Sequence, residues 1–282
     1  MPGSHRPAAL AASLLAAACA TVGQPQGVVD RMYVFEVGEC HAQDVARWTG
    51  TAAAGGPWVF ANHCYLIRHR RGLLLWETGF ADEIAAMPDG LAIGDSIRVK
   101  VRRPLVDQLR ELGIAPGDIT HLALSHFHID HAGNARLFAG ATLLVQATEH
   151  AAAFGPTPED FGYDGNRYAT LRGGNHVLLH GDHDVFGDGS VVLLATPGHT
   201  PGHQSLLVRL AGRGPLLLTG DVVHMQSNWQ HRRTPISNFD RAMSVRSMAR
   251  VQALLQEHGA TLVIHHDRDA NRQLPKAPAW LE

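Results

Sequence analysis

The segment THLALSHFHIDHAG at residues 120–133 decides the fold of this chain more than any other. Its first six residues predict an apolar β-strand, and four metal-ligating side chains follow within six residues, namely His126, His128, Asp130 and His131. Imidazole and carboxylate groups suit zinc and its neighbours in the first transition row. A set this dense at a strand end can surround two cations, whereas the alternative is a polar loop with coincidental histidines.

Three further motifs also follow predicted strands. They are TPGHTPGH at residues 196–203, LLLTGD at 216–221 and VIHHD at 263–267. The paired Pro-Gly steps predict a tight turn that points His199 outward, with His203 in a supporting role. Asp221 is a single carboxylate delivered past a glycine. Because side chains alternate along a strand, only one of His265 and His266 is expected to face the site.

In this order, the motifs resemble those of the metallo-β-lactamase superfamily, and the resemblance covers residues from about 34 to 267. It implies an α/β fold, a four-layer αββα sandwich with two sheets face to face, helices outside and metals at one sheet edge. It also implies two divalent cations, zinc in the first place, although Mn, Fe or Co suit the same ligands.

The same resemblance implies a set of metal ligands. One cation is held by His126, His128 and His199, and the other by Asp130, His131 and His266, with Asp221 bridging the two. His266 is preferred because the family places its ligand histidine immediately before Asp267, and His265 is the competitor.

Within the superfamily, the run PGHTPGHQS at 197–205 looks most like the N-acyl-homoserine lactonase group. The carboxylate at Asp221 counts against the true β-lactamases, so hydrolysis of β-lactams is only an alternative. His224 stands where those lactonases often have Tyr, which is similar to the methyl-parathion-hydrolase-like branch and suggests organophosphate or aryl-ester substrates. Glu77 replaces the usual Asp of an Asp-Thr-Gly motif, and we expect it to anchor the loop beneath the metals.

The function that this resemblance implies is hydrolysis of a small ester-like ring, a lactone in the first place. A metal-bridging hydroxide would attack the carbonyl, with Asp130 orienting the nucleophile. Asp221 or water would protonate the leaving oxygen, and His224 would donate a hydrogen bond to the developing oxyanion or support the ligands.

Composition limits the other function classes. Of 282 residues, 45% are hydrophobic and 18% are charged, which excludes a largely disordered chain. The 24 basic and 26 acidic residues leave a net charge of −2, which argues against a nucleic-acid partner. The remaining partner is a small-molecule ester or lactone. The 19 histidines fit a metal-binding protein.

The first residues predict export. Residues 1–20 carry a basic start and a short apolar run typical of a signal peptide, so the mature hydrolase domain is expected over 30–282. A lipoprotein signal ending at Cys19 is the alternative to ordinary cleavage. The protein is then periplasmic, or tethered to a membrane through lipidated Cys19. In an oxidising compartment Cys40 and Cys64 could pair, although buried free thiols fit equally well.

The chain between the motifs predicts short strands and two main helices, over 102–112 and over 239–258 with Ser237 or Asn238 as its cap. The aromatic and sulfur side chains of the variable loops are candidates for an apolar substrate pocket. They are Trp48, Trp58, Phe154, Phe161, Tyr163, Tyr168, Met225 and Trp229. Arg232 and Arg233 could meet a substrate carboxylate or amide.

Overall fold

The computed structural model describes residues 29–52 and 55–282. The predicted signal peptide at 1–20 and Cys19 lie outside these described residues, so export and lipidation remain predictions. Across the described residues, no helix combines the length and the apolar character that crossing a membrane needs.

Strands alternate with short helical segments along the described chain. The strands are β1 (Val29–Ala42), β2 (Trp58–His69), β3 (Gly72–Trp76), β4 (Leu91–Ile93), β5 (Ile97–Lys100), β6 (His121–Ala123), β7 (Thr142–Gln146), β8 (His176–Leu179), β9 (His183–Asp184), β10 (Val191–Ala195), β11 (Gln204–Leu210), β12 (Gly214–Leu218), β13 (Thr261–Val263) and β14 (Trp280–Leu281). The α-helices are α1 (Ala46–Thr49), α2 (Leu105–Glu111), α3 (Ala147–Ala153), α4 (Gln226–His231), α5 (Arg241–His258) and α6 (Arg268–Asn271). Short 3-10 helices cover Asp82–Ala86, Pro116–Asp118, Ala135–Phe138, Pro158–Phe161, Gly165–Arg167, Ala169–Gly173 and Gly220–Val222.

The strands form one continuous ladder in the order β13-β12-β11-β1-β2-β3-β6-β7-β8. In what we call the first sheet, β1, β2 and β3 are antiparallel, and β6, β7 and β8 add in parallel. In the second sheet, β9 to β12 are antiparallel neighbours and β13 adds in parallel. A parallel pair between Val29 and Leu210 joins β1 to β11, where the ladder passes from one sheet to the other.

Alternating side chains build three hydrophobic clusters, which define the layers. In β1, Tyr33 and Phe35 pack in a cluster with α2 and α3, whereas Met32 and Val34 point into a cluster between the two sheets. On the far side, Leu207 of β11 packs in a third cluster with α5. The layers therefore run helices, sheet, sheet, helix, which confirms the four-layer αββα sandwich.

Helix α5 begins later than the sequence predicts. It starts at Arg241, and its cap is Asp240, whose side chain accepts a hydrogen bond from the Met243 NH at 2.8 Å. Aspartate caps a helix as well as serine or asparagine does. The prediction of Ser237 or Asn238 as the cap is therefore wrong, and Asn238 has a different task at the site below.

The two described cysteines are free, so the hypothesis of a Cys40–Cys64 disulfide is wrong. In the β1–β2 pair, Cys64 lies opposite Phe35 while Cys40 lies opposite Phe60. At about 3.3 Å per residue, this offset separates the two cysteines by more than the roughly 7 Å between Cα atoms that a disulfide can span.

Candidate metal centre

Every predicted metal ligand follows the end of a strand, and the two sheets bring these ends together. The loop after β6 of the first sheet carries His126, His128, Asp130 and His131. From the second sheet, His199 follows β10, Asp221 follows β12 and His266 follows β13. Six of these side chains, all except that of Asp130, belong to overlapping groups whose ligand atoms lie within 4.8 Å of one another, and the groups also include His224 and His265.

His126, His128 and His199 form what we call the imidazole cluster. Nε2 of His126 lies 2.7 Å from Nδ1 of His128, and Nε2 of His199 lies 3.2 Å and 3.1 Å from these two atoms. Tetrahedral zinc with nitrogen ligands at 2.0–2.1 Å places those ligand atoms about 3.3 Å apart. The three converging nitrogens therefore fit one divalent cation.

Each ring of the imidazole cluster has its second nitrogen engaged elsewhere. His126 Nδ1 pairs with Ser125 Oγ at 2.9 Å, and His128 Nε2 donates to the Phe161 carbonyl oxygen at 3.0 Å. His199 Nδ1 donates to Asn238 Oδ1 at 2.9 Å. Such contacts orient the ring and leave the other nitrogen free to ligate. Asn238 is a site residue that the sequence analysis missed, because its position before a helix suggested a cap.

Asp130, His131, Asp221 and His266 form the carboxylate cluster. Asp221 Oδ1 lies 3.0 Å from His266 Nε2 and 3.3 Å from His131 Nε2, while its Oδ2 lies 3.3 Å from Nε2 of His199. Asp130 Oδ2 completes the cluster at 3.5 Å from His266 Nε2 and 3.7 Å from His131 Nε2. One carboxylate, that of Asp221, thus faces both clusters.

The backbone around Asp221 is held by close packing. Gly220 adopts φ +54°, and a Cβ there would lie 2.6 Å from Ser125 Cβ and 2.8 Å from His203 Nε2. His203 Nε2 accepts a hydrogen bond from the Asp221 NH at 2.8 Å, so its Nδ1 carries the proton and donates to the Thr196 carbonyl. His203 therefore supports Asp221 from behind, in agreement with the sequence analysis.

Glu77 anchors the loop beneath the clusters, as its place in the sequence led us to expect. It is fully buried, its Oε1 accepts from the Ser125 NH at 3.1 Å, and its Oε2 lies 3.2 Å from His131 Nδ1. Its φ of +66° is unusual for a residue with a side chain and costs about 1–3 kcal/mol. The longer side chain still reaches both partners.

The structure distinguishes the two adjacent histidines after β13. His266 Nδ1 donates to the Ala61 carbonyl at 2.8 Å, which leaves Nε2 free and facing Asp221. His265 is also buried and lies beside His131, with ring centroids 4.8 Å apart. Neither of its ring nitrogens has a hydrogen-bond partner among the described residues. His265 also belongs to a possible metal group with His131 and His266. His266 is favoured as the ligand because its Nε2 lies 3.0 Å from Asp221 Oδ1 while its Nδ1 is held by the Ala61 carbonyl.

Electrostatics separate the two clusters. Burial lowers the pKa of all three rings in the imidazole cluster. Burial acts against protonation of His131 and His266 as well, but Asp221 and the neighbouring carboxylates outweigh it and raise both pKa values. Burial would raise the pKa of Asp221, yet the surrounding imidazoles hold it well below its usual range.

Two buried polar atoms of the carboxylate cluster lack hydrogen-bond partners among the described residues, and they show whether a cation fits there. His131 Nε2 and Asp221 Oδ1 have no hydrogen-bond partner in the part of the chain that the structure describes, although they lie only 3.3 Å apart. Leaving buried polar atoms unsatisfied is costly, and a shared divalent cation would satisfy both. Together with the imidazole nitrogens, this donor set fits divalent metals of the first transition row.

The centre opens into a cavity of about 460 Å³ with mostly apolar walls. Of the predicted wall residues, Trp48 and Phe161 line it, whereas Trp58 lines a separate depression. Of the other candidates, Phe154, Tyr163 and Tyr168 pack in the cluster with α2 and α3, and Trp229 packs against the cluster with α5. Met225 packs in a smaller cluster with Val45 and Phe60.

The hairpin of β4 and β5 contributes wall residues that the sequence analysis missed. Ile93, Ile97 and Val99 line the cavity. Their signal was an alternating run around a Gly94-Asp95 turn. The arginine that lines the cavity is Arg47, whereas the predicted Arg232 and Arg233 do not line it.

A sandwich whose sheet edges gather histidine and aspartate in this way defines a metal-dependent hydrolase. The chain belongs to the metallo-β-lactamase superfamily, whose family model matches residues 57–267.

Individual relatives narrow the comparison. The chain is 33% identical over 264 residues to an N-acyl homoserine lactonase, AttM, of Rhizobium radiobacter, across 89% of this chain and 98% of that protein. It is 29% identical over 259 residues to an N-acyl homoserine lactonase of a Bacillus species, across 90% and 99% of the two chains. It also resembles a solved N-acyl homoserine lactone hydrolase that has N-hexanoyl-L-homoserine, its product, bound at the catalytic metal centre. The TM-score is 0.76 at 26% identity, across 90% of this chain and 99% of that one.

Proposed function

We propose that the chain is a dinuclear metal-dependent lactonase that opens N-acyl homoserine lactones. The observation that carries the proposal is the carboxylate of Asp221, which lies within 3.3 Å of imidazole nitrogens from both clusters. The names of the relatives support the substrate class, and the apolar cavity beside the centre suits an acyl chain. Zinc is the cation we expect, with Mn, Fe or Co as alternatives.

When bound, two divalent cations lower the pKa of a water molecule and polarise the carbonyl oxygen of a lactone. Asp130 is partly exposed and lines the cavity, so its Oδ2 can accept a hydrogen bond from the attacking water and hold its proton. The rings of the imidazole cluster remain neutral because burial lowers their pKa values, so they present lone pairs rather than protons.

In this proposal, Asp221 and His224 face the reacting end of the substrate. His224 Nε2 lies 3.0 Å from Asp221 Oδ2, and both residues line the cavity. The alkoxide that leaves when the ring opens takes the proton that Asp130 accepted from the attacking water, or one from solvent. Asp221 is not the donor, because the surrounding imidazoles hold its pKa well below its usual range. The NH at His224 Nε2, which faces Asp221 Oδ2, can share its hydrogen bond with the carbonyl oxygen as negative charge develops there, and this would stabilise the transition state.

His224 also favours a second candidate function, hydrolysis of organophosphate or aryl-ester substrates. An imidazole at this position is shorter than a tyrosine and already faces Asp221, so the wall here leaves room for a bulkier reacting centre. We rank this function second, because the named relatives are lactonases.

The test is a hydrolysis panel with metal-loaded full-length protein. It compares N-acyl homoserine lactones of short and long chains with an aryl ester, a phosphotriester and a β-lactam. We expect lactones to be the preferred class. The kcat/KM should rise about tenfold or more from short to long chains, since each buried methylene contributes about 0.8 kcal/mol.

Metal content per chain is measured on the same samples. Activity confined to phosphotriesters would replace the leading proposal by the second one. Turnover that survives complete removal of metal would contradict both.

A further inference from the structure

A buried carboxylate outside the metal centre, that of Glu149, lies where the ligand loops meet. Glu149 is in the first turn of α3 and is only 1% exposed. It does not line the substrate cavity, and the described residues form no ion pair with it. Its hydrogen-bond partners instead belong to the segments that carry or orient the imidazole cluster.

The first contact reaches the His199 turn. Glu149 Oε2 accepts hydrogen bonds from Thr200 Oγ1 at 2.8 Å and from the Gly202 NH at 2.9 Å. The turn approaches α3 so closely that a Cβ on Gly202 would lie 2.3 Å from the Glu149 nitrogen. The residue after His199 is therefore tied directly to this carboxylate.

The second contact reaches His128. Glu149 Oε1 accepts a hydrogen bond from Tyr163 Oη at 2.6 Å. Two residues earlier, the Phe161 carbonyl accepts from His128 Nε2, and the ring of Tyr163 lies 5.5 Å from that of His128. The hydrogen bond from Tyr163 to Glu149 thus holds the segment from Phe161 to Tyr163 in place. This segment orients the His128 ring so that its Nδ1 faces the other two rings of the imidazole cluster.

Burial raises the pKa of Glu149, while the hydrogen bonds of Tyr163, Thr200, Gly202 and the Phe127 backbone act in the opposite direction. Phe127 stands between His126 and His128 in the ligand motif. All four partners are donors, which is the environment of a carboxylate that accepts without a counter-charge.

We propose that Glu149 is a positioning residue for the imidazole cluster, where it fixes His199 and His128 through Thr200 and Tyr163. The inference rests on the proposed dinuclear centre, and it concerns only one half of it. The carboxylate cluster has other anchors, including Glu77 and the Ala61 carbonyl. Removing Glu149 should therefore release one cation and spare the other.

The experiment measures release of the two cations from zinc-loaded full-length protein into a competing chelator. In Glu149→Ala we expect one cation to leave about tenfold faster. This is the lower end of the cost of losing a direct outer partner of a ligand, because Glu149 acts on the ligands only through Thr200 and Tyr163. The other cation should leave within about threefold of its wild-type rate. Glu149→Gln keeps one acceptor oxygen for Thr200 and Gly202, and a tyrosine hydroxyl can accept from the amide. Because one amide oxygen replaces two carboxylate oxygens that serve four donors, the Phe127 NH among them, this cation should leave Glu149→Gln more slowly than Glu149→Ala but faster than the wild type.

Gln108→Ala is the matched control. Gln108 is a buried polar residue of α2 that donates to the Glu36 and Arg103 carbonyls. This variant should lower the melting temperature of the metal-free protein and leave both release rates unchanged. If Glu149→Ala fails to fold, Thr200→Val and Tyr163→Phe each remove one donor, and each should speed release of the same single cation.

Two results would overturn the inference. If the wild type holds two cations and the Glu149 and donor variants release both at wild-type rates, Glu149 serves only to stabilise the fold. A wild-type chain that binds no cation overturns the dinuclear proposal itself, and the inference with it.

Discussion

The imidazole cluster and the carboxylate cluster of the candidate metal centre differ in the chemistry that would hold a cation. The imidazole cluster consists of three rings whose pKa values are lowered by burial, and each ring is oriented by a neutral partner such as the Asn238 side chain. The carboxylate cluster has two acidic groups, and its rings have raised pKa values. One position is thus shaped mainly by geometry, and the other mainly by charge. Asp221 is the group that belongs to both.

Removing the carboxylate that faces both clusters should weaken both cation positions alike. Asp221→Asn is expected to weaken cation binding at both positions and to lower kcat/KM by more than the roughly 100-fold that loss of an outer partner can cost. Asp188→Asn is the matched control, because Asp188 also pairs with a histidine, His69, away from the centre. Elemental analysis and lactone hydrolysis measure the two effects. Unchanged metal content in Asp221→Asn would remove this residue from the bridge.

Removing one ring of the carboxylate cluster should weaken the binding of one cation and leave the other cation bound. His266→Ala is expected to retain a single cation and to lose about 100-fold in kcat/KM, because a Lewis acid contributes several kcal/mol and 1.36 kcal/mol is tenfold. In His265→Ala, which removes the neighbouring ring whose nitrogens have no hydrogen-bond partner among the described residues, both cations should be retained. Metal content per chain distinguishes the variants. The reverse pattern would make His265 the ligand.

Lowering the pH should release the two cations one after the other. A ring ligates only when unprotonated, so affinity falls as the pH drops below that ring's pKa. His131 and His266 have raised pKa values, so their cation should weaken first, by about tenfold per pH unit for each proton that competes. The rings of the imidazole cluster have lowered pKa values and should hold their cation to lower pH. Dialysis over a pH series, with His266→Ala as the one-cation reference, measures this. Simultaneous loss would contradict it.

The ligand residues could be proposed from sequence because each depends on a short motif at a strand end. His126, His128 and His131 lie within six residues, and their chemistry is readable without knowing the fold. Asn238 and Glu149 could not be found this way, since their roles depend on segments that are distant in sequence and meet only in the folded chain. An asparagine before a helix looks like a cap, and a glutamate in a helix looks like a surface charge.

Many of the strands were readable because β-strands leave a period-two pattern, whereas the four-layer arrangement was implied by the resemblance of the motifs to the metallo-β-lactamase superfamily. The cysteine pairing and the cavity wall were not readable, since both depend on register and loop path. The offset between Cys40 and Cys64 is visible only in the β1–β2 pairing. Five of the eight predicted wall residues turned inward to the hydrophobic clusters, because a large side chain in a loop is as useful for packing as for binding.

The ligands come from both sheets, from the loop after β6 on one side and from the ends of β10, β12 and β13 on the other. In the proposed centre, a cation bound among these side chains would link one sheet to the other at the edge of the sandwich. Its binding free energy adds only to the docked form, because the separated layers offer no complete site. Metal binding and unfolding are then coupled equilibria. A low concentration of the ion would therefore lower the fraction of folded molecules as well as their activity.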